Sequence, residues 1–372
     1  MLLTILLVVF GCDFEQKSVE GDSSNGKDSS KLQKAWNYDY QIEGGVRTAP
    51  KVTDDSLVLV SAGARLVVLD VAGGSLEWRS SKVSPAHELY CRELLSDESG
   101  IYGSHTDRAL AWNRNNWNKK WKFSPPSEKR FFSLGYFSIG PEYFYGSGDG
   151  GRIFLIDKRT GKVDQEHQYQ FGAFGLNFRD GSLFFTQAWT PEGAEGQSKG
   201  GVMKITAANG DSLWNYRTER GGFYRMRPLL DEGRVYAGTR GGEMTEFVAL
   251  DAQTGEVIWR NKEARVYAAE MAAGKIFVNT GRDVMALDKK TGETLWHAGL
   301  EAGHGESGLA YLEGYVYHPH GQGLCVINAK TGEVVHIEWP ENGYFWEVGT
   351  GAGKVFAQDS GALYAFEPYS PE

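Results

Sequence analysis

Cysteine is nearly absent: three residues, at 12, 91 and 325, stand far apart in a chain of 372. So few and so scattered, they exclude a disulfide framework and a cysteine-rich zinc site. Cys91 and Cys325 fall in different repeats and are expected to be free and buried, as most unpaired cysteines are. Long apolar runs are missing too. After the first eleven residues, nothing approaches the roughly 20 apolar residues of a membrane helix. Positive charge is in deficit, with 39 Lys and Arg against 48 Asp and Glu and a net charge of −9. That balance argues against a nucleic-acid surface. No Gly-x-Ser-x-Gly elbow, HExxH pair or P-loop occurs, so the common hydrolase, zincin and nucleotide motifs are excluded. Only 11 prolines are present, but 48 glycines and 13% aromatic residues are. Glycine well above its roughly 7% average indicates many tight turns rather than long helices.

The N-terminus stands apart. Residues 2–10 (LLTILLVVF) form an apolar run of signal-peptide length, too short to span a bilayer. Gly11 and Cys12 follow, and the stretch resembles the lipobox of bacterial lipoproteins, with residues 1–11 as the signal peptide. The resemblance implies cleavage before Cys12 and acylation of that cysteine. Residues 13–34 are polar and rich in Ser, Gly, Asp and Lys. They hold too little apolar surface to offset the entropy of ordering, so 12–34 read as a lipidated cysteine and flexible tether.

From residue 35 onward one frame repeats: an acidic residue, a glycine four positions later, and a tryptophan four beyond that. It stands as Asp251/Gly255/Trp259, Asp288/Gly292/Trp296, Asp70/Gly74/Trp78 and, with threonine first, Thr206/Gly210/Trp214. Degraded copies are Asp157/Gly161/Gln165, Asn328/Gly332/His336 and Asn113/Trp117/Trp121. Asp or Asn can bond the backbone of a tight turn, and glycine takes its φ > 0 position at little cost. The tryptophan is then expected in an outer strand, packed on the neighbouring blade. Successive frames lie 37–49 residues apart, the length of one four-stranded propeller blade. An eighth unit begins as ALYAFE at 362–367 and stops at 372 without glycine or tryptophan, while Trp36 opens the domain with no blade of its own. The prediction is an all-β, eight-bladed propeller over 35–372, its last blade completed by the N-terminal strand. Closure removes the exposed edges that template aggregation.

The ALDxxTGxxxW frame resembles the pyrroloquinoline-quinone (PQQ)-like propeller repeats. That resemblance implies either of two families, quinoprotein alcohol dehydrogenases or BamB-type lipoproteins of the outer-membrane β-barrel assembly machinery. A looser group of extracytoplasmic propellers shares the repeat without a common function. The dehydrogenase family carries an adjacent cysteine pair beside its cofactor and a calcium site; this chain has no Cys-Cys. No cofactor, metal or catalytic residue is therefore expected, with a quinoprotein-type dehydrogenase or a small-ligand-binding propeller as the alternative.

Candidate sites lie at the ends of the ring. Aligning each inner strand on its neighbour places Pro50, Leu94, Tyr136, Leu176, Pro228, Ala269, Leu309 and Val348 in one column. Just ahead of it come Arg47, Arg92, Phe132, Phe174, Arg225, Tyr267, Glu306 and Trp346, expected around one mouth of the channel. The longest insertion, Gln187–Gly201, should emerge there. Beside it runs a segment in which Arg217, Arg220, Arg225 and Arg227 interleave with Tyr216, Phe223 and Tyr224. Arginine and aromatics are enriched at binding hot spots; the alternative is that these arginines pair with channel carboxylates such as Glu306 and Glu347. In the seventh unit His304, Glu306, His318 and His320 gather, but Pro319 reads as the end of strand pairing, and channel-mouth histidines without metal are the preferred reading. The expectation is a monomeric, lipid-anchored, non-catalytic scaffold facing the periplasm of a bacterial envelope. It touches the membrane through its lipid only and binds a protein partner, the barrel-assembly machinery being the one the resemblance implies. Asp13 after the cysteine resembles an inner-membrane retention signal, which leaves inner and outer membrane both open.

Overall fold

Runs such as LVLVSA at Leu57–Ala62 and DVMALD at Asp283–Asp288 are buried on both faces. β-branched and aromatic residues favour extended backbone, and apolar groups on both faces require a neighbour on each side. A propeller supplies both neighbours. The computed structural model describes residues 32–40, 48–54, 56–62, 65–82, 94–105, 108–126, 137–192, 198–218, 221–223, 226–240, 245–300, 307–321, 323–341 and 343–371. These form eight four-stranded antiparallel sheets, the blades, each numbered here in chain order. Among the described residues there is no α-helix, only a short 3-10 turn at Asp149–Gly151. Eight apolar clusters fill the eight junctions between blades, for example Tyr236, Phe247 and Ala249 of blade five against Ile276, Val278 and Met285 of blade six.

The ring closes as the sequence predicts. Lys34–Asp39 pairs antiparallel with Ala362–Phe366, matching Trp36 with Ala365 and Tyr38 with Leu363. Tyr40, fully buried, donates its hydroxyl hydrogen to Gln358 at 2.8 Å, and the Gln358 amide donates to the Thr48 carbonyl.

One device joins most blades. The indole of Trp36, Trp121, Trp214, Trp259 or Trp296 lies on the turn glycine of the following blade, respectively Gly74, Gly161, Gly255, Gly292 and Gly332. A Cβ added at any of these glycines would stand 2.4–2.7 Å from a ring atom. Each indole N–H also donates to a carbonyl of that turn, at 2.8–3.2 Å. The turn is in turn tied by its first residue: one carboxylate oxygen of Asp251 accepts the Gln253 and Thr254 amides at 2.8 Å, and Asp288 does the same for Lys290 and Thr291. Those amides hold both carboxyls below their ordinary pKa.

Four expectations are corrected. In blade three the side chain on the next glycine, Gly210, is His167, two residues beyond Gln165. In the column next to the channel, Ser138 pairs Tyr145, so Phe137 holds the place expected for Tyr136; the other seven stand as expected. Pro319 does not end pairing: the strand Tyr315–His320 continues to the His320–Gly323 pair. Proline is tolerated there because the inner strand reaches only Tyr317, leaving residues 318–320 one strand neighbour. The insertion in blade four is shorter than Gln187–Gly201. Strands Ser182–Trp189 and Lys199–Thr206 absorb its ends, and the connection is 190–198.

Candidate functional site

Each blade's inner strand runs from one mouth of the ring to a hairpin at the other. Five of these hairpins are two-residue turns with both φ positive: Asp180–Gly181, Glu232–Gly233, Ala273–Gly274, Glu313–Gly314 and Ala352–Gly353. That is the turn whose twist matches the strands it joins. The D-x-x-T-G turns share this mouth, and ion pairs lace it together. Buried Lys158 of blade three pairs with Asp97 of blade two and donates to the Gly140 carbonyl at 2.7 Å. Lys289 of blade six pairs with Asp231 and, at 3.2 Å, Glu232 of blade five. This mouth is therefore occupied by contacts that hold blades together.

The opposite mouth carries the ends of the outer strands and the 190–198 connection. Here Phe171 and Trp189 stack with centroids 4.1 Å apart and planes 11° from parallel. The guanidinium of Arg217, exposed at the end of the outer strand Ser212–Thr218, lies 5.5 Å from the Phe171 centroid and 5.8 Å from that of Trp189. Among the described residues the Arg217 side chain makes no hydrogen bond or ion pair, so its N–H groups are left to solvent while the guanidinium packs beside the aromatic pair. A second assembly sits at blades five and six: two guanidinium groups stand over the Tyr267 ring, Arg240 at 4.6 Å from its centroid and Arg265 at 5.4 Å. Arg265 Nε donates to the Arg240 carbonyl at 3.0 Å, and a Cβ at Gly281 would touch the Tyr267 ring. Trp346 stands beside Tyr344, centroids 4.2 Å apart, on blade eight.

The other candidates separate by role. Phe223 is fully buried in the junction of blades four and five, against Trp214 and Val248, so it belongs to the core and not to the mouth surface. Glycine at 200 makes room for it, since a Cβ there would stand 2.7 Å from the Phe223 amide. Arg227 is half-buried and donates from Nη2 to the Phe137 carbonyl at 2.5 Å, a tie from blade five to blade three. Phe174 is half-buried, and its carbonyl accepts the Thr186 hydroxyl at 3.3 Å. Arg47, Arg92, Phe132, Arg220, Tyr224, Arg225 and Glu306 lie outside the described residues, as do Cys12, Cys91 and His304. Sequence reasoning missed Phe171, Trp189, Arg240 and Arg265. Trp189 lay inside the insertion already singled out, but nothing in the spacing shows that it turns back over Phe171.

Two titratable groups near the channel are displaced. Burial lifts the Glu270 carboxyl, on the inner strand of blade six, to about 7, with the Lys51 ammonium pulling the other way. Burial lowers His318 to about 4, although its Nδ1 is 3.0 Å from the Gly308 carbonyl. His318 and His320 stand side by side, centroids 5.8 Å apart, and no metal-binding cluster occurs among the described residues. Cys325 pairs opposite His318; it is free and buried, and burial pushes its thiol up to about 12.

Residues 198–343 match the family model described as "Outer membrane protein assembly factor BamB", and the repeats within that span are of the PQQ-like propeller type. No curated protein matches the chain in sequence. Among solved structures it is similar to BamB from Moraxella catarrhalis, at 13% identity and TM-score 0.67, over 91% of this chain and 100% of that one. It is equally similar to a europium-containing methanol dehydrogenase, at 11% identity and TM-score 0.70, over 91% and 94% of the two chains. Saccharomyces cerevisiae Sqt1 follows at 11% identity and TM-score 0.69, over 92% and 100%. Identities this low show the shared ring and nothing of its chemistry.

Proposed function

We propose that the chain is a lipid-anchored, non-catalytic propeller of the bacterial envelope that binds a protein partner through the Arg217 mouth, as a monomer and in the manner of a BamB-type assembly factor. The observation that carries this reading is the Phe171–Trp189–Arg217 stack. An arginine packed beside two stacked aromatic rings loses little freedom on binding and offers charge-assisted hydrogen bonds beside an apolar anchor. The cluster of Arg240, Tyr267 and Arg265 also sets arginine against an aromatic ring on the same mouth. Loops raised on a rigid scaffold are where recognition concentrates. Support for the envelope setting comes from the lipobox-like Gly11-Cys12, the polar tether and the match to the BamB family model. The lack of a Cys-Cys pair speaks for a binding role over a quinoprotein dehydrogenase.

The test is charge reversal on the mouth. Arg217→Glu combined with Arg265→Glu is expected to weaken partner capture from crosslinked native membranes by about tenfold or more, since rim and anchor contacts are lost together. The melting temperature should stay close to that of the parent, because Arg217 and Arg265 are exposed. Lys290→Glu, exposed on the opposite mouth, should change neither; Lys289 is unsuitable as a control because it pairs with Asp231. Undiminished capture by the arginine double variant defeats the proposal.

A further inference from the structure

The junction between blades one and two departs from the others. Its tryptophan, Trp78, meets a tryptophan instead of a glycine: Trp117 holds the turn position, and the two indoles stack with centroids 5.6 Å apart and planes 15° from parallel. Among the described residues Trp78 makes no indole hydrogen bond, whereas the five tryptophans that dock on glycine all do. Trp117 sits at φ 60°, a left-handed conformation that costs a bulky side chain energy. Beside the stack lies a cleft of about 360 Å³, lined by both indoles.

Residues 78–82, the end of the outer strand Leu76–Arg79 and the three residues after it, line one wall in succession. At about 3.3 Å per residue such a wall is about 13 Å long, enough for about four residues of extended chain. The charged groups lining it are Arg79, Lys82, Lys119 and Lys122, all cationic, in a chain whose net charge is −9. None of the four pairs with a carboxylate among the described residues. The cleft thus combines a stacked pair of indoles with four cations that pair with no carboxylate among the described residues.

We infer that this cleft binds an acidic, extended peptide segment bearing an aromatic side chain. The ring of the ligand stacks on the Trp78–Trp117 pair, and its carboxylates take the four cations. The site is separate from the Arg217 mouth and does not rest on the function proposed for it.

The full-length chain is titrated with a labelled peptide of sequence Asp-Glu-Phe-Glu-Asp, followed by polarisation. Controls are Lys-Arg-Phe-Arg-Lys and vesicles of phosphatidylglycerol. The acidic peptide should bind saturably and more tightly than the basic one, with affinity falling as salt rises. Lys119→Glu with Lys122→Glu should weaken it by about tenfold or more. Trp117→Gly, which restores the repeat, should abolish binding while leaving the melting temperature equal or higher, so lost binding cannot be ascribed to unfolding. Arg217→Glu should leave peptide binding unchanged. Equal binding of the two peptides, undiminished binding by the lysine double variant or by Trp117→Gly, or binding of the vesicles but not the acidic peptide, each overturns the inference.

Discussion

Trp259 illustrates how a side chain eight residues from an aspartate joins two blades. Its ring is buried on Gly292, its N–H is satisfied by the Lys289 carbonyl, and the glycine exists because no Cβ fits beneath the indole. Trp259→Ala is expected to cost about 3–5 kcal/mol in urea unfolding, the range for truncating a well-buried tryptophan. Trp78→Ala should cost clearly less, because that ring is only half-buried and its N–H has no hydrogen-bond partner among the described residues. These positions were legible in the sequence because the spacing of Asp, Gly and Trp is set by the turn itself. Phe223 was misread because interleaving with arginine does not show which aromatic turns inward. A second test is electrostatic. The Glu270 carboxyl titrates at about 7 in the folded chain against 4.5 ordinarily. A raised carboxyl leaves stability intact below pH 4.5, removes it as pH rises to about 7, and is flat above. Glu270→Gln should therefore match the parent at pH 4 and exceed it at pH 8, by up to about 3 kcal/mol. Equal stability at both pH values contradicts that burial.

The strand Lys34–Asp39 carries the closure of the ring. Without it, Ala362–Phe366 becomes an open edge, Gly74 loses the Trp36 indole, and Tyr40 leaves the core between blades eight and one. Deleting residues 32–40 should lower the melting temperature sharply and produce aggregates on size exclusion; a truncated chain that melts like the parent refutes the closure. This element was readable because the frame is truncated after Glu367 while Trp36 lacks a blade. Elements with degraded frames were harder. In blade three Gln165 sits where tryptophan would, but the neighbouring glycine is reached by His167 on the same face of the strand. Pro319 was taken for a strand end because the sequence does not reveal that its inner neighbour stops short, at Tyr317. The 190–198 connection looked longer since Gln187–Trp189 and Lys199–Gly201 extend the blade-four hairpin beyond the usual length.

At the scale of the molecule, the two mouths differ in kind. One is made of short turns and interblade ion pairs; the other exposes arginines braced on aromatic rings. The residues of that second mouth were only partly legible, because pairs such as Phe171 with Trp189, or Tyr267 with Arg240, form between segments whose relative height depends on strand length. The anchor makes its own prediction: Cys12→Ser should move the folded protein from the membrane to the soluble fraction, and an unmodified Cys12 mass in membrane-extracted protein refutes lipidation. The central claim is that the Arg217 mouth meets a protein partner in the envelope. Its most direct test is a photo-crosslinking amino acid placed at Trp189 or, on the other mouth, at Lys290, in living cells. A discrete adduct to an envelope protein is expected from position 189 and none from 290; an adduct from 290 alone would contradict partner binding at the Arg217 mouth.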